Sequence, residues 1–180
     1  MKILLISGAP HCWKSSTVTW LMKELENNYG YKFHITLLNS KALPKNPKIG
    51  AWYSDINAFG TGKDKNGKSI TVAICSCSDY ETSGSENYKF CEESAKANGM
   101  KLPDVFIGTI RDQGKERTNF LKAFNLSNGA QINTPGGYLE IPLAKSPRRE
   151  NRKKIADKWY AKCIENLMEF VISSKPFEMI

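Results

Sequence analysis

A chain of 180 residues, with 26 basic and 18 acidic side chains and a net charge of +8, holds enough sequence for one well-buried α/β domain spanning residues 1–180 and too little for two. No apolar stretch approaches the roughly 20 residues that cross a bilayer, and the short apolar run after Lys2 is too brief for a signal peptide, so a soluble, cytoplasmic protein without a membrane partner is expected. The positive excess asks for an anionic partner: nucleotide, nucleic acid and acidic protein all satisfy it.

The chain opens on Met1, Ile3, Leu4, Leu5 and Ile6, an apolar run of the kind that buries on both faces of a parallel sheet. Gly8-Ala9-Pro10-His11-Cys12-Trp13-Lys14-Ser15-Ser16 follows, and then Val18, Leu21, Met22 and Leu25 recur at helical spacing. Strand, glycine turn, Lys-Ser and helix form one unit. This stretch resembles the phosphate-binding loop of the P-loop NTPases, the superfamily of nucleoside and nucleotide kinases, whose pattern is GxxxxGK followed by Ser or Thr. Gly8, Lys14 and Ser15 fall on its first glycine, its lysine and its hydroxyl. The resemblance implies that residues 8–16 bind ATP or GTP with magnesium. A helix N-terminus carries unpaired N–H groups and about half a positive charge, so the loop entering it can surround a phosphate. Lys14 would add a point charge, and Ser15 would complete the coordination of the magnesium ion.

Trp13 departs from the pattern, because it stands where the family has a second glycine. A bulky residue held at positive φ costs on the order of 1 to 3 kcal/mol, which a bound nucleotide offsets and an empty loop does not. Two readings follow: an altered loop that still binds, or a degenerate site. A second stretch, Gly62 to Ser69, satisfies the same pattern without exception, yet it is followed by the β-branched run Ile70 to Cys75 and contains Asn66-Gly67, the strongest short hairpin signal. It is read as a turn between strands.

After the first helix, closed by Asn28-Tyr29-Gly30, the alternation of Phe33, Ile35 and Leu37 predicts a second strand over 31–38. It ends on Asn39-Ser40, where many P-loop kinases carry an acid. Lys41 to Lys48 reads as a loop, and Ile49 to Phe59 as an extended arm that pairs with Ser69 to Cys75. Asp55 sits on that arm and is assigned equally to the surface or to substrate contact. The strand Ile70 to Cys75, followed by Asp79, resembles the second P-loop signature, which delivers an acid toward magnesium and its waters. Asp79 is therefore the acidic metal candidate beside Ser15, with a helix cap or turn residue as its alternative and Glu81 and Glu86 in reserve.

A helix over about 86–97, closed by Asn98-Gly99, leads to the buried-type strand Val105 to Ile110. Arg111 and Asp112 follow at its carboxyl end, the edge where ligands of open parallel sheets bind. Arg111 suits a phosphate or carboxylate, and Asp112 a base or cap. A helix over about 114–124 turns Phe120, Leu121 and Phe124 inward and leaves Lys115 and Arg117 to solvent. Asn128-Gly129 and Pro135-Gly136-Gly137 bracket a loop, and Tyr138 to Leu143, with Pro142, reads as an edge strand. Ser146-Pro147 starts the last helix, with Ile155, Trp159, Cys163, Leu167 and Val171 as its apolar stripe and Arg148, Arg149, Arg152, Lys153 and Lys154 as a basic cluster. That cluster either closes over phosphates or forms a solvated face.

The five cysteines, Cys12, Cys75, Cys77, Cys91 and Cys163, form no CxxC pair, and with only His11 and His34 beside them they point to free thiols rather than zinc. The alternation of strands and helices predicts a three-layer α/β sandwich with a mainly parallel central sheet of about five strands plus a β-hairpin. Within the resemblance, Lys14, Asp79 and Arg111 carry an NTPase or small kinase reaction on ATP or GTP with magnesium, with room for a second anionic substrate. The alternative is a degenerate P-loop domain that binds a nucleotide or nucleic acid without turnover. Lys14 to Trp20 also resembles the 5'-phosphosulfate loop of sulfotransferases.

Overall fold

The computed structural model describes residues 1–10, 12–37, 55–126, 137–143 and 150–180, with the backbone alone at residues 37 and 150–157. Within them the chain runs β1 (Lys2–Ser7), α1 (Lys14–Tyr29), β2 (Lys32–Leu37), β3 (Ile56–Lys63), β4 (Ser69–Cys75), α2 (Ser83–Ala97), β5 (Val105–Ile110), α3 (Gly114–Ala123), β6 (Tyr138–Pro142) and α4 (Glu150–Asn166), which continues as a π-helical segment over Leu167–Ile172. Among the described residues no helix is long and apolar enough to cross a membrane.

The strands form one sheet in the order β2-β3-β4-β5-β1-β6. β1 is parallel to both β5 and β6, and β4 is parallel to β5, while β3 runs against β2 and β4. Only the hairpin strand β3 is reversed, so the sheet is mixed but mainly parallel, as the alternating pattern predicts. The hairpin turn falls on Asn66-Gly67, with Gly67 at φ 78 and its N–H bonded to the Asp64 carbonyl at 2.8 Å. The second GxxxxGKS match is therefore a β-turn with no helix behind it. Pro142 ends β6, an edge strand, where its missing N–H leaves no ladder bond unmade.

Strand residues alternate between two cores. Leu4, Ile6, Val72, Ile74, Val105 and Ile107 face Val18, Leu21, Met22 and Leu25 of α1, together with Leu167, Met168, Ile172 and Phe177. Ile3, Leu5, Ala73, Cys75 and Phe106 face Cys91 of α2 and Phe120, Leu121 and Phe124 of α3. Both faces of the central strands are thus buried, which is why they read as unbroken apolar runs. The five cysteines are free thiols, four of them buried.

Several expectations need correction. α2 starts at Ser83 rather than Glu86, and Gly84 in its first turn lies against α3: a Cβ at that position would stand 2.4 Å from the Cα of Phe120. Cys75 and Cys77, two apart, are expected on one face of a strand, but β4 ends at Cys75 and Cys77 meets Ser83 at 3.6 Å instead. Trp159 is 65% exposed, whereas Tyr160, Ile164, Leu167 and Met168 are buried. The inner face of α4 is therefore rotated by one residue, about 100°, from the stripe drawn through Trp159 and Cys163. Arg117 is no solvated cation, because Glu140 on the distant strand β6 holds it. The predicted elements at 39–48, the start of the last helix at Ser146-Pro147 and the side chains of its basic cluster lie outside the described residues.

Candidate functional site

β1 and β5 lie side by side in register, with Ser7 opposite Ile110. The chain leaving β1 passes to α1 on one face of the sheet, and the chain leaving β5 passes to α3 on the other. Two parallel neighbours whose connections part to opposite faces leave a crevice beyond their carboxyl ends, and this is where ligands bind in open α/β sheets. Gly8 to Pro10, Cys12 to Ser16 and Arg111 lie at that edge.

Gly8 opens the loop. Its φ is 151, and a Cβ would fall 2.5 Å from Cys12 Sγ and 2.8 Å from the Leu143 carbonyl, so only glycine fits. Its N–H bonds to the Ile110 carbonyl at 3.2 Å, which pins the loop to β5. Ala9 contributes its carbonyl, Pro10 is exposed, and His11 lies outside the described residues. Cys12 is buried, and burial pushes its thiol up, with Lys14 partly opposing that. Trp13 sits at φ 67 and ψ 19, in the left-handed region, immediately before the first residue of α1. A bulky side chain there is an outlier that its surroundings must hold in place. Its carbonyl accepts the first helical bond, from the N–H of Thr17 at 2.9 Å, and the Thr17 hydroxyl at the same distance. Its indole N–H is buried without a hydrogen-bond partner among the described residues.

Lys14 is 6% exposed, and its ammonium donates to the carbonyls of Gly8 at 2.9 Å and Ala9 at 3.0 Å. Burial pulls its pKa below the ordinary lysine range; Arg111 lowers it further, while Cys12, Asp79 and Asp112 act the other way. A buried cation folded under its own loop is the electrostatic centre of the crevice. Ser16 is buried in the first turn of α1.

Ser15 points to the other side, where its hydroxyl hydrogen lies within reach of Asp55 Oδ1 at 2.8 Å and the Ser76 carbonyl at 3.1 Å. Ser76 Oγ donates to the same Asp55 oxygen at 3.2 Å and accepts from the Ile56 N–H at 2.8 Å. Thr109 on β5 donates to the Ser76 carbonyl at 2.6 Å. Burial raises the pKa of Asp55 above the ordinary carboxylate value, against the two serine hydrogen bonds that lower it. Asp55, assigned at the outset to surface or substrate without preference, is thus the carboxylate that meets Ser15. One signal was available: Asp55 is the lone acid between Glu26 and Asp64, placed where the outer arm meets its strand.

Asp79 is brought to the same crevice but to a different partner. It pairs with Arg111 at 2.9 Å, its side chain 58% exposed against 15% for the arginine. Arg111 Nε and Nη1 are buried and have no hydrogen-bond partner among the described residues. Asp112 is exposed, and the residue before α3 is Gln113, so Asp112 does not cap that helix. Behind Arg111, Arg117 donates to its carbonyl at 3.2 Å and to both oxygens of Glu140 at 2.8 and 2.9 Å. Burial would raise the Glu140 pKa, but the bonds from Arg117, Tyr138 and Ser7 prevail and hold it below the ordinary range. Glu81 and Glu86 remain outside: Glu81 faces Lys115 at 4.0 Å, and Glu86 is exposed on the first turn of α2.

The donor set of Ser15, Asp55 and Ser76 consists of hard oxygens with one carboxylate. That fits a magnesium ion, which takes one or two carboxylates and completes its shell with water and phosphate. Among the described residues no group of three or more His, Cys, Asp or Glu is placed to hold a metal, and a softer, protein-only site is not built there. No family model, no curated protein and no solved structure matches this chain.

Proposed function

We propose that the chain binds ATP or GTP with magnesium through residues 8–16 and acts as an NTPase or small kinase of the P-loop type. The observation that carries this reading is the left-handed turn at Trp13, which gives the loop a glycine-like conformation at the one position where the side chain breaks the pattern. Lys14 and Ser15 therefore enter the first turn of α1 together, where backbone N–H groups have no carbonyl one turn earlier. The loop amides and Lys14 hold phosphate charge, and Arg111 supports the transition state or an anionic second substrate. Ser15 and Asp55, with Asp79 nearby, are the residues that would hold magnesium, directly or through water. The ion supplies charge neutralisation between the phosphates when bound.

A second reading rests on the Lys14 ammonium, which already has two carbonyl acceptors in its own loop. A nucleotide must draw it away from them, and a protein in which this is unfavourable binds for regulation, without turnover, or uses its positive surface on nucleic acid. The test is a thermal-shift titration with ATP, GTP and adenosine 3',5'-bisphosphate, with and without magnesium, on the native chain and on Lys14→Ala. At about 100 times its dissociation constant a ligand adds roughly 2.7 kcal/mol of stability, or about 5 to 10 °C in Tm for a chain of this size. A magnesium-dependent rise with ATP or GTP that disappears in Lys14→Ala supports the proposal, and product release then separates turnover from binding. A preference for the bisphosphate moves the reading to the sulfotransferase resemblance. Silence from every nucleotide overturns it, and a steep salt dependence with nucleic acid would then support the alternative.

A further inference from the structure

We infer that Arg111 is the receptor for a separate oxyanion, and that Asp79 is a displaceable latch occupying it until that anion arrives. A guanidinium presents five N–H donors in a rigid fork suited to two oxygens at once. Asp79 takes one of them, through Nη2 at 2.9 Å, while Nε and Nη1 are buried and have no hydrogen-bond partner among the described residues. A largely covered cation with two buried, orphaned donors is unfavourable unless a better acceptor is part of its working state. Its present partner is the more solvent-exposed of the two groups. Asp79 is 58% exposed, in the connection between β4 and α2, whereas Arg111 is 15% exposed. The arginine is also anchored, since Arg117 grips its carbonyl and is itself clamped by Glu140. Displacement therefore moves the aspartate and leaves the arginine in place.

The ligand is an anion that offers two oxygens to one fork, a phosphate or a carboxylate. Lys14 feels the charge of Arg111, so the anion would stand close to the loop in the same crevice. In the proposed function this is the docking point of the second substrate's anionic group. The inference rests on that reading only for the identity of the first ligand, because the receptor is tested without any nucleotide.

The experiment titrates the full chain, and Asp79→Asn, Arg111→Gln and Arg111→Lys, with inorganic phosphate and separately with malonate. Heat of binding is recorded alongside the NMR resonance of the Arg111 Nε–H group. Asp79→Asn is expected to bind one of the two anions about tenfold more tightly than the native chain, about 1.4 kcal/mol, with a shift of that resonance. Arg111→Gln is expected to lose the binding, and Arg111→Lys, which keeps the cation and guards against a folding defect, to lose most of it. Which anion responds assigns the ligand to the phosphates or the carboxylates. Repeating the series in Lys14→Ala separates the two proposals: a gain from Asp79→Asn that persists there belongs to Arg111 even if nucleotide binding has failed. Unchanged or weaker anion binding in Asp79→Asn, or a gain that vanishes with Lys14, overturns the latch.

Discussion

Replacing Asp55 by asparagine removes one charge and almost no volume, and its effect can be worked from the bonds around it. Asp55 Oδ1 accepts from Ser15 at 2.8 Å and Ser76 at 3.2 Å. An amide oxygen keeps both bonds in neutral form, each weaker by roughly 1 kcal/mol than a bond to a charged acceptor. Against that loss stands burial, which outweighs those same bonds and raises the carboxyl pKa above 3.8. The ionised form is thus the one the fold disfavours. A carboxyl whose folded pKa is raised contributes its stability below the unfolded pKa and loses it as pH rises through the folded pKa. Native protein and Asp55→Asn should therefore be equally stable below about pH 4. Above the raised pKa the variant should be the more stable, by less than about 2 kcal/mol.

Asp55→Ala is the contrasting perturbation, because it leaves the Ser76 hydroxyl without its acceptor and should be less stable than Asp55→Asn by about 1 to 3 kcal/mol at either pH. Each kcal/mol moves Tm by roughly 2 to 4 °C in a chain of this length. Thermal unfolding of the three proteins at pH 4 and pH 7 reads the pattern. With ATP and magnesium, both variants should show a smaller ligand-induced rise than the native chain, if Asp55 completes the metal site. Destabilisation of Asp55→Asn relative to native that grows from pH 4 to pH 7 would refute the electrostatic account, because it would mean that the fold prefers the charge.

Glu140→Gln should cost about 1 to 3 kcal/mol at pH 7 by breaking the bidentate contact with Arg117. Since the Glu140 pKa is held below 4.5, the difference from native should shrink as pH falls through the folded value, measured by urea unfolding at pH 7 and pH 3. Gly84→Ala places a methyl group 2.4 Å from the Cα of Phe120, and separating α2 from α3 should cost about 1 to 3 kcal/mol in the same assay. Gly8→Ala meets Cys12 Sγ at 2.5 Å and the Leu143 carbonyl at 2.8 Å. It should abolish the ATP-dependent Tm rise while lowering the ligand-free Tm by several degrees, corresponding to roughly 1 to 3 kcal/mol.

Local chemistry determined much of this protein. The apolar runs at β1, β4 and β5, the left-handed glycines after α1 and α2, the Asn66-Gly67 turn and the proline on β6 each follow from sterics within a few residues. The six-stranded, mainly parallel sheet could therefore be anticipated from strands and helices in alternation. The passage from β1 through the Gly8 turn into α1 was legible for the same reason, since strand, turn and helix N-terminus are contiguous. Even the positive φ of Trp13 could be expected from the position it fills.

Only the tertiary structure decided who faces whom. Asp55 reaches Ser15 because β3 folds back beside β4, 40 residues away from the loop in sequence. Asp79, nearer to a familiar pattern, is drawn instead to Arg111 by the adjacency of β4 and β5. Arg117 and Glu140, 23 residues apart, meet across α3 and β6, although neither pattern named the other. The inner face of α4 was likewise set by what it packs against, and Trp159 turns outward although it shares helical spacing with buried Leu167. Periodicity determines that a helix has an apolar face; the tertiary packing around it determines which residues line it.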